Sequence, residues 1–130
     1  MEYKLFLDDL RTPDNTFGMT QNPIYKSQWV VVRNYDEFVK CINKLGMPEL
    51  ISFDHDLADI HYDMQDIITE DDYDIMTEKT GYHCAKWLID YCMDNKVSPP
   101  NYLVHSMNTV GASNIRYLIE NYKRFLKSQK

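Results

Sequence analysis

Four short apolar runs, each closed by residues that can carry a charge or a proton, most constrain what this chain can fold into. Tyr3–Leu7 ends in Asp8-Asp9, Gln28–Arg33 carries Trp29, Val30, Val31 and Val32, Leu50–Phe53 ends in Asp54, and Tyr102–Val104 ends in His105-Ser106. Runs of this length bounded by polar residues read as strands, and the unbroken valines make the second one look buried on both faces. Helical spacing fills the gaps. Phe38, Val39, Ile42 and Leu45 follow the caps Asn34 and Asp36 and stop at Gly46 and Pro48. Thr80-Gly81 opens a helix with the stripe Cys84, Trp87, Leu88, Tyr91 and Cys92, ending near Asn95, and Val110–Leu126 carries Ile115, Leu118, Ile119, Tyr122 and Leu126 on one side. Residues 10–28, with Pro13, Gly18 and Pro23, lack a helical period and read as a long loop with one turn of helix.

Strands that alternate with helices predict an α/β fold: a small, flavodoxin-like, mostly parallel sheet of about four strands with helices on both faces. A length of 130 residues with 44% hydrophobic side chains suits one domain, residues 1–130. Between Asp54 and Glu78 there are ten acidic residues and no Lys or Arg, so 14 basic residues face ten acidic ones elsewhere, a balance of +4 within a net charge of −6. This acidic insertion after the third strand, about residues 57–79, contains one marginal helix (Leu57, Ile60, Met64, Ile67, Ile68) and reads as a solvated flap whose position after Asp56 also suits a lid. The acidic balance argues against wrapping nucleic acid or reading DNA sequence, while the mildly basic remainder leaves room for a small anion. Three cysteines without C-x-x-C spacing argue against a disulfide framework or zinc site. Neither a signal peptide nor a membrane span is visible, and a soluble cytoplasmic protein is expected.

Ligands of parallel sheets bind at the carboxyl ends of the strands, and the reactive residues gather there. Asp8, Asp9, Asp54 and Asp56 bring up to four carboxylates into one volume if the first and third strands are neighbours. Two unit charges about 4 Å apart repel by roughly 4 kcal/mol at an effective dielectric near 20, so the cluster calls for a cation, a shared proton or an arginine. Mg²⁺ is the hard-oxygen cation such a site takes, and Arg11 or Arg33 is the alternative neutraliser; no other cofactor is expected. His55 and His105 titrate near neutrality and suit general acid–base work. His105-Ser106-Met107-Asn108-Thr109 leads into a helix start whose amides suit an anion. A Gly-x-Gly-x-x-Gly pattern and a Walker lysine are both missing, which argues against a dinucleotide or nucleoside triphosphate site.

Leu5-Phe-Leu-Asp-Asp-Leu-Arg-Thr-Pro13, the Trp29-to-Phe38 stretch with Arg33, Ile51-Ser-Phe-Asp-His-Asp-Leu57, Thr80-Gly81 with Cys84-Ala-Lys-Trp-Leu88, and His105-Ser-Met-Asn108 with Gly111 and Asn114 together resemble the cyclic-phosphate processing receiver domain family. The likeness spans nearly the whole chain except the tip of the insertion. It implies a receiver-like fold acting on the cyclic phosphate of a nucleotide or RNA end. It implies Asp8, Asp9, Arg11, Arg33, Asp54, His55, Asp56, His105, Ser106 and Asn108 as the site; within it His55, His105 and Asp54 are expected to be catalytic, Arg11, Arg33, Ser106, Asn108 and the nearby Asn114 to bind phosphate, and Asp8, Asp9 and Asp56 to hold metal. Thr109 stands where the family pattern has a proline. The acidic pair, Asp54 and Ser106 also resemble the metal pair, phosphoacceptor and hydroxyl of response regulators, whose fifth strand and lysine have no counterpart before Lys130. Two functions are therefore expected to compete: a phosphoesterase, and a non-catalytic module that binds a cyclic nucleotide or a partner protein.

Overall fold

The computed structural model describes residues 2–54, 80–106 and 108–128; His55, Asp56 and the acidic insertion with its marginal helix lie outside the described residues. Strand β1 (Lys4–Leu7) leads through helix α1 (Pro13–Thr20) and a 3-10 turn (Pro23–Lys26) to β2 (Val30–Val32). Helix α2 (Tyr35–Leu45), β3 (Leu50–Phe53), α3 (Gly81–Asn95), β4 (Asn101–Val104) and α4 (Thr109–Ser128) follow. The strands form one four-stranded sheet in the order β2-β1-β3-β4, and all three pairings are parallel.

The expected loop over residues 10–28 contains an eight-residue helix, α1. Its signals are at its start rather than along a face. The Thr12 hydroxyl accepts from the Asn15 amide and the Asn15 side chain accepts from the Thr12 amide, both at 3.1 Å, and Pro13 occupies the first turn, where its missing N–H removes no helical bond. Helix α2 begins as expected, with the Asn34 side chain accepting from the Glu37 amide. It ends at Gly46, whose φ of 88° lies in the region that side chains disfavour.

Alternation along the strands divides the sheet's two faces. Leu5, Leu7, Ile51 and Phe53 point into the main core with Phe38 and Ile42 of α2, Cys84, Leu88 and Cys92 of α3, and Ile115, Ile119 and Tyr122 of α4. Trp87 and Tyr91, expected in the buried stripe of α3, are half-buried at its margin. On the opposite face the ring of Phe6 meets Tyr25 and Trp29 edge-on, with centroids 6.1 and 5.9 Å away. The 3-10 turn therefore roofs the part of the sheet where Phe6 and Ser52 lie. Strand β2 departs from expectation: Val30 and Val31 are each 36% exposed, because β2 is an edge strand. None of Cys41, Cys84 and Cys92 is in a disulfide. Among the described residues no helix is long and apolar enough to cross a membrane.

Phe53 is fully buried where β3 meets α2, with its ring 5.9 Å from that of Phe38. Phe53→Ala is expected to lower unfolding stability by about 3–5 kcal/mol in urea denaturation, through lost transfer energy and the cavity left behind. A loss under about 1 kcal/mol would place the core elsewhere.

Candidate functional site

The ladder runs one residue past β1, β3 and β4. The Asp8 amide donates to the Val32 carbonyl at 3.1 Å, the Asp54 amide to Leu7 at 3.0 Å and the His105 amide to Phe53 at 2.9 Å. Since Leu7 pairs with Val32 and Phe53, and Phe53 with Val104, the next residues form one row along the carboxyl edge: Arg33, Asp8, Asp54, His105. Four segments far apart in sequence thus place their reactive residues side by side.

Asp8 is the most enclosed of these, at 1% exposure. Its Oδ1 accepts from the amides of Leu10 and Arg11, each at 2.9 Å. Its Oδ2 lies 3.0 Å from His105 Nε2 and 3.8 Å from Arg11 Nη1. Burial alone would raise the carboxyl pKa, but the His105 hydrogen bond, the Arg11 and Leu10 amides and the electrostatic attraction of His105 outweigh it, and Asp8 is held below the ordinary aspartate value. A carboxylate only accepts, so the hydrogen between His105 Nε2 and Asp8 Oδ2 is donated by Nε2.

The other side of the His105 ring is also engaged. Nδ1 is 2.6 Å from Ser52 Oγ, which is 2.7 Å from the Tyr25 hydroxyl. The ring stacks on Phe6, with centroids 4.6 Å apart and planes 7° from parallel. Burial pushes the Tyr25 phenol up, partly offset by its bond to Ser52, which keeps the hydrogen on its oxygen. Sequence reasoning passed over Tyr25 and Ser52. Ser52 had a signal, as the polar residue inside the apolar run Leu-Ile-Ser-Phe; Tyr25 had none.

The arginines differ in their tasks. Arg11 lies beside Asp8 with a side chain 31% exposed, whereas Arg33 donates from Nη1 to the carbonyls of Asp8 at 3.1 Å and Arg11 at 2.7 Å, pinning the turn after β1. In the loop after β4, the Ser106 hydroxyl accepts from the Asn108 amide at 3.1 Å and the Asn108 side chain accepts from the Gly111 amide at 2.9 Å. These side chains cap α4 themselves, so two of the amides expected to face an anion already have partners. Asn114 is exposed and lines a separate cleft of about 510 Å³ with Thr80, Tyr82, Tyr117, Leu118 and Asn121, a lining that includes none of the carboxylates.

Asp8, Asp9 and Asp54 can each offer one carboxylate oxygen to a metal, with the three atoms all within 4.8 Å of one another. The donor set fits a hard divalent cation: it is all oxygen and anionic, and its mutual repulsion is what a cation relieves.

A parallel four-stranded sheet with flanking helices and this acidic edge defines a receiver-like α/β domain. The chain belongs to the cyclic-phosphate processing receiver domain family, whose model matches residues 3–121. No curated protein and no solved structure gives a significant match.

Because its folded-state pKa is depressed, Asp8 contributes stability above its unfolded-state pKa, and that contribution is lost as pH falls through the folded value. In chelator-treated protein, Asp8→Asn is expected to flatten the dependence of unfolding stability on pH below about 4. Equal slopes for wild type and variant in urea titrations would contradict this.

Proposed function

We propose that this chain is a phosphoesterase that opens the cyclic phosphate of a nucleotide or an RNA end at the carboxyl edge of its sheet. The observation that carries the reading is the single row of Arg33, Asp8, Asp54 and His105, with Asp9 and Arg11 beside it. Family membership supports a cyclic-phosphate substrate, and the paired carboxylates support Mg²⁺ on Asp8, Asp9 and Asp54, with Asp56 as a further candidate ligand.

Ring opening requires a water in line with the departing ribose oxygen, rupture of that P–O bond, and a proton for the oxygen released. Mg²⁺, when bound, would neutralise charge on the phosphate oxygens. Arg11 is the cation best placed to bind the phosphate, with Ser106 and Asn108 bordering the site; Arg33 holds the turn that carries Asp9 and Arg11. His105 has both ring nitrogens engaged, so in this scheme it acts through Asp8. Direct proton transfer falls to His55, which follows Asp54 in the chain. Asn114 is assigned to the outer cleft rather than to the phosphate.

One observation favours a second reading. The His105 side chain is fully buried and its ring nitrogens lie against Asp8 and Ser52, an arrangement that equally suits a module that captures a cyclic nucleotide without turning it over.

Incubation with cyclic mononucleotides, cyclic oligonucleotides and RNA ending in a 2′,3′-cyclic phosphate, with and without Mg²⁺, separates the two. The enzyme reading expects a linear product, and His55→Ala is expected to slow its formation by about 10²- to 10⁴-fold. Saturable binding with the ligand intact would establish the binding module instead, and unchanged turnover by His55→Ala would remove that histidine from the chemistry.

A further inference from the structure

We propose that Tyr25 and Ser52 are positioning residues that fix the His105 imidazole with its Nε2–H aimed at Asp8, so that the Asp8 carboxylate is held ready for a divalent cation. The inference deepens the phosphoesterase reading and rests on it for its functional meaning. Tyr25 and Ser52 do not touch the substrate in this scheme. They act through His105, and His105 through Asp8.

The polarity of the chain follows from its two ends. Asp8 already accepts two backbone amides on Oδ1, so the hydrogen between Oδ2 and His105 comes from Nε2. A neutral imidazole protonated there is an acceptor at Nδ1. Ser52 then donates to Nδ1 and accepts from the Tyr25 hydroxyl, so each donor in the chain meets an acceptor and the series ends on a carboxylate. For a neutral imidazole the reverse polarity would require a hydrogen on Asp8 Oδ2; a doubly protonated ring would instead donate to both Asp8 and Ser52, and the ring measurement below separates the two. Stacking on Phe6 sets the plane of the ring, but a stacked ring can still be flipped by half a turn; the Ser52 hydroxyl at 2.6 Å selects between the two orientations. Ser52 can do so because it lies two residues before Asp54 on the same face of β3, beneath the edge row.

This arrangement resembles the outer support of metal sites, where a group behind the ligand fixes its orientation and basicity and its loss commonly weakens metal binding by about 10- to 100-fold. Here a histidine stands behind a carboxylate ligand, and a serine and a tyrosine stand behind the histidine. Through Ser52, Tyr25 also ties the 3-10 turn to β3, beside its ring contacts with Phe6 and Trp29.

The test uses the full chain, nitrogen-15 labelled, and two readouts taken at one mildly alkaline pH: long-range proton–nitrogen correlation of the His105 ring, and Mn²⁺ affinity by electron paramagnetic resonance. Wild type is expected to carry hydrogen on Nε2 and an unprotonated, hydrogen-bonded Nδ1. Ser52→Ala is expected to lose that signature and to bind Mn²⁺ about 10- to 100-fold more weakly, and Ser52→Thr, which keeps a hydroxyl, to recover both. Tyr25→Phe keeps the ring and removes only the phenol; it is expected to move both readouts in the same direction by less, and it decides the matter if Ser52→Ala does not fold. A wild-type ring protonated at Nδ1 would overturn the proposal. So would Ser52→Ala and Tyr25→Phe variants with the wild-type ring signature and Mn²⁺ affinity and only a lower melting temperature. Absence of turnover on cyclic phosphates would defeat the phosphoesterase reading and leave these readouts in place, whereas wild type that takes up no Mn²⁺ would overturn the cation-positioning role whatever the ring signature.

Discussion

An anionic carboxylate with almost no exposure to water has to receive hydrogen bonds or opposite charge from the protein itself, and the edge of this sheet is arranged around that requirement at Asp8. Desolvation of an uncompensated carboxylate costs several kcal/mol. The amides of Leu10 and Arg11 approach one oxygen, and His105 and Arg11 approach the other. To deliver those donors the chain must turn sharply after β1, and Arg33 holds that turn by its carbonyls. It must also place β4 beside β3, so that His105 arrives in the same row. The order β2-β1-β3-β4 meets both demands, with β1 in the interior between the strand that supplies Arg33 and the one that supplies Asp54.

The two faces of the sheet divide the labour. The face carrying Leu5, Leu7, Ile51 and Phe53 holds helices α2, α3 and α4 and provides most of the apolar burial. The other carries Phe6, Ser52 and the row of polar residues, roofed by Tyr25 and Trp29. An aromatic setting of this kind lowers the local dielectric around His105 and Asp8, which strengthens their hydrogen bond and raises the penalty for any partner left unpaired. Family membership then gives the acidic edge a chemical context, a small phosphate-bearing ligand, which the proposed site would meet with Arg11 and a cation held by carboxylates.

Much of the fold was legible because the strands are short apolar runs closed by polar residues and the three long helices carry apolar periodicity, and the carboxyl-edge rule directed attention to Asp8, Asp54 and His105. The failures have physical causes. Helix α1 lacks an apolar stripe, and its start is written in Thr12, Pro13 and Asn15 rather than in periodicity. Val30 and Val31 were read as buried on both faces because three valines in succession do not reveal an edge. Arg33 and Asn108 were recognised as polar residues at the site, but sequence does not show that a guanidinium grips backbone carbonyls or that an asparagine caps its own helix. The Tyr25–Ser52–His105 chain joins residues 27 and 53 positions apart, a proximity created by the sheet and invisible to local pattern. His55 and Asp56 lie outside the described residues, so their part in the site rests on sequence position.

The central claim is that Asp8, Asp9 and Asp54 define the place where a cation and a cyclic phosphate meet. A crystal of the full chain soaked with Mn²⁺ and a cyclic nucleotide, with anomalous data collected at the manganese edge, tests it most directly. The expected result is a single anomalous peak in contact with those three carboxylates, with the phosphate between it and Arg11. A metal bound elsewhere, or a phosphate seated in the outer cleft beside Asn114 with the carboxylates untouched, would contradict the account.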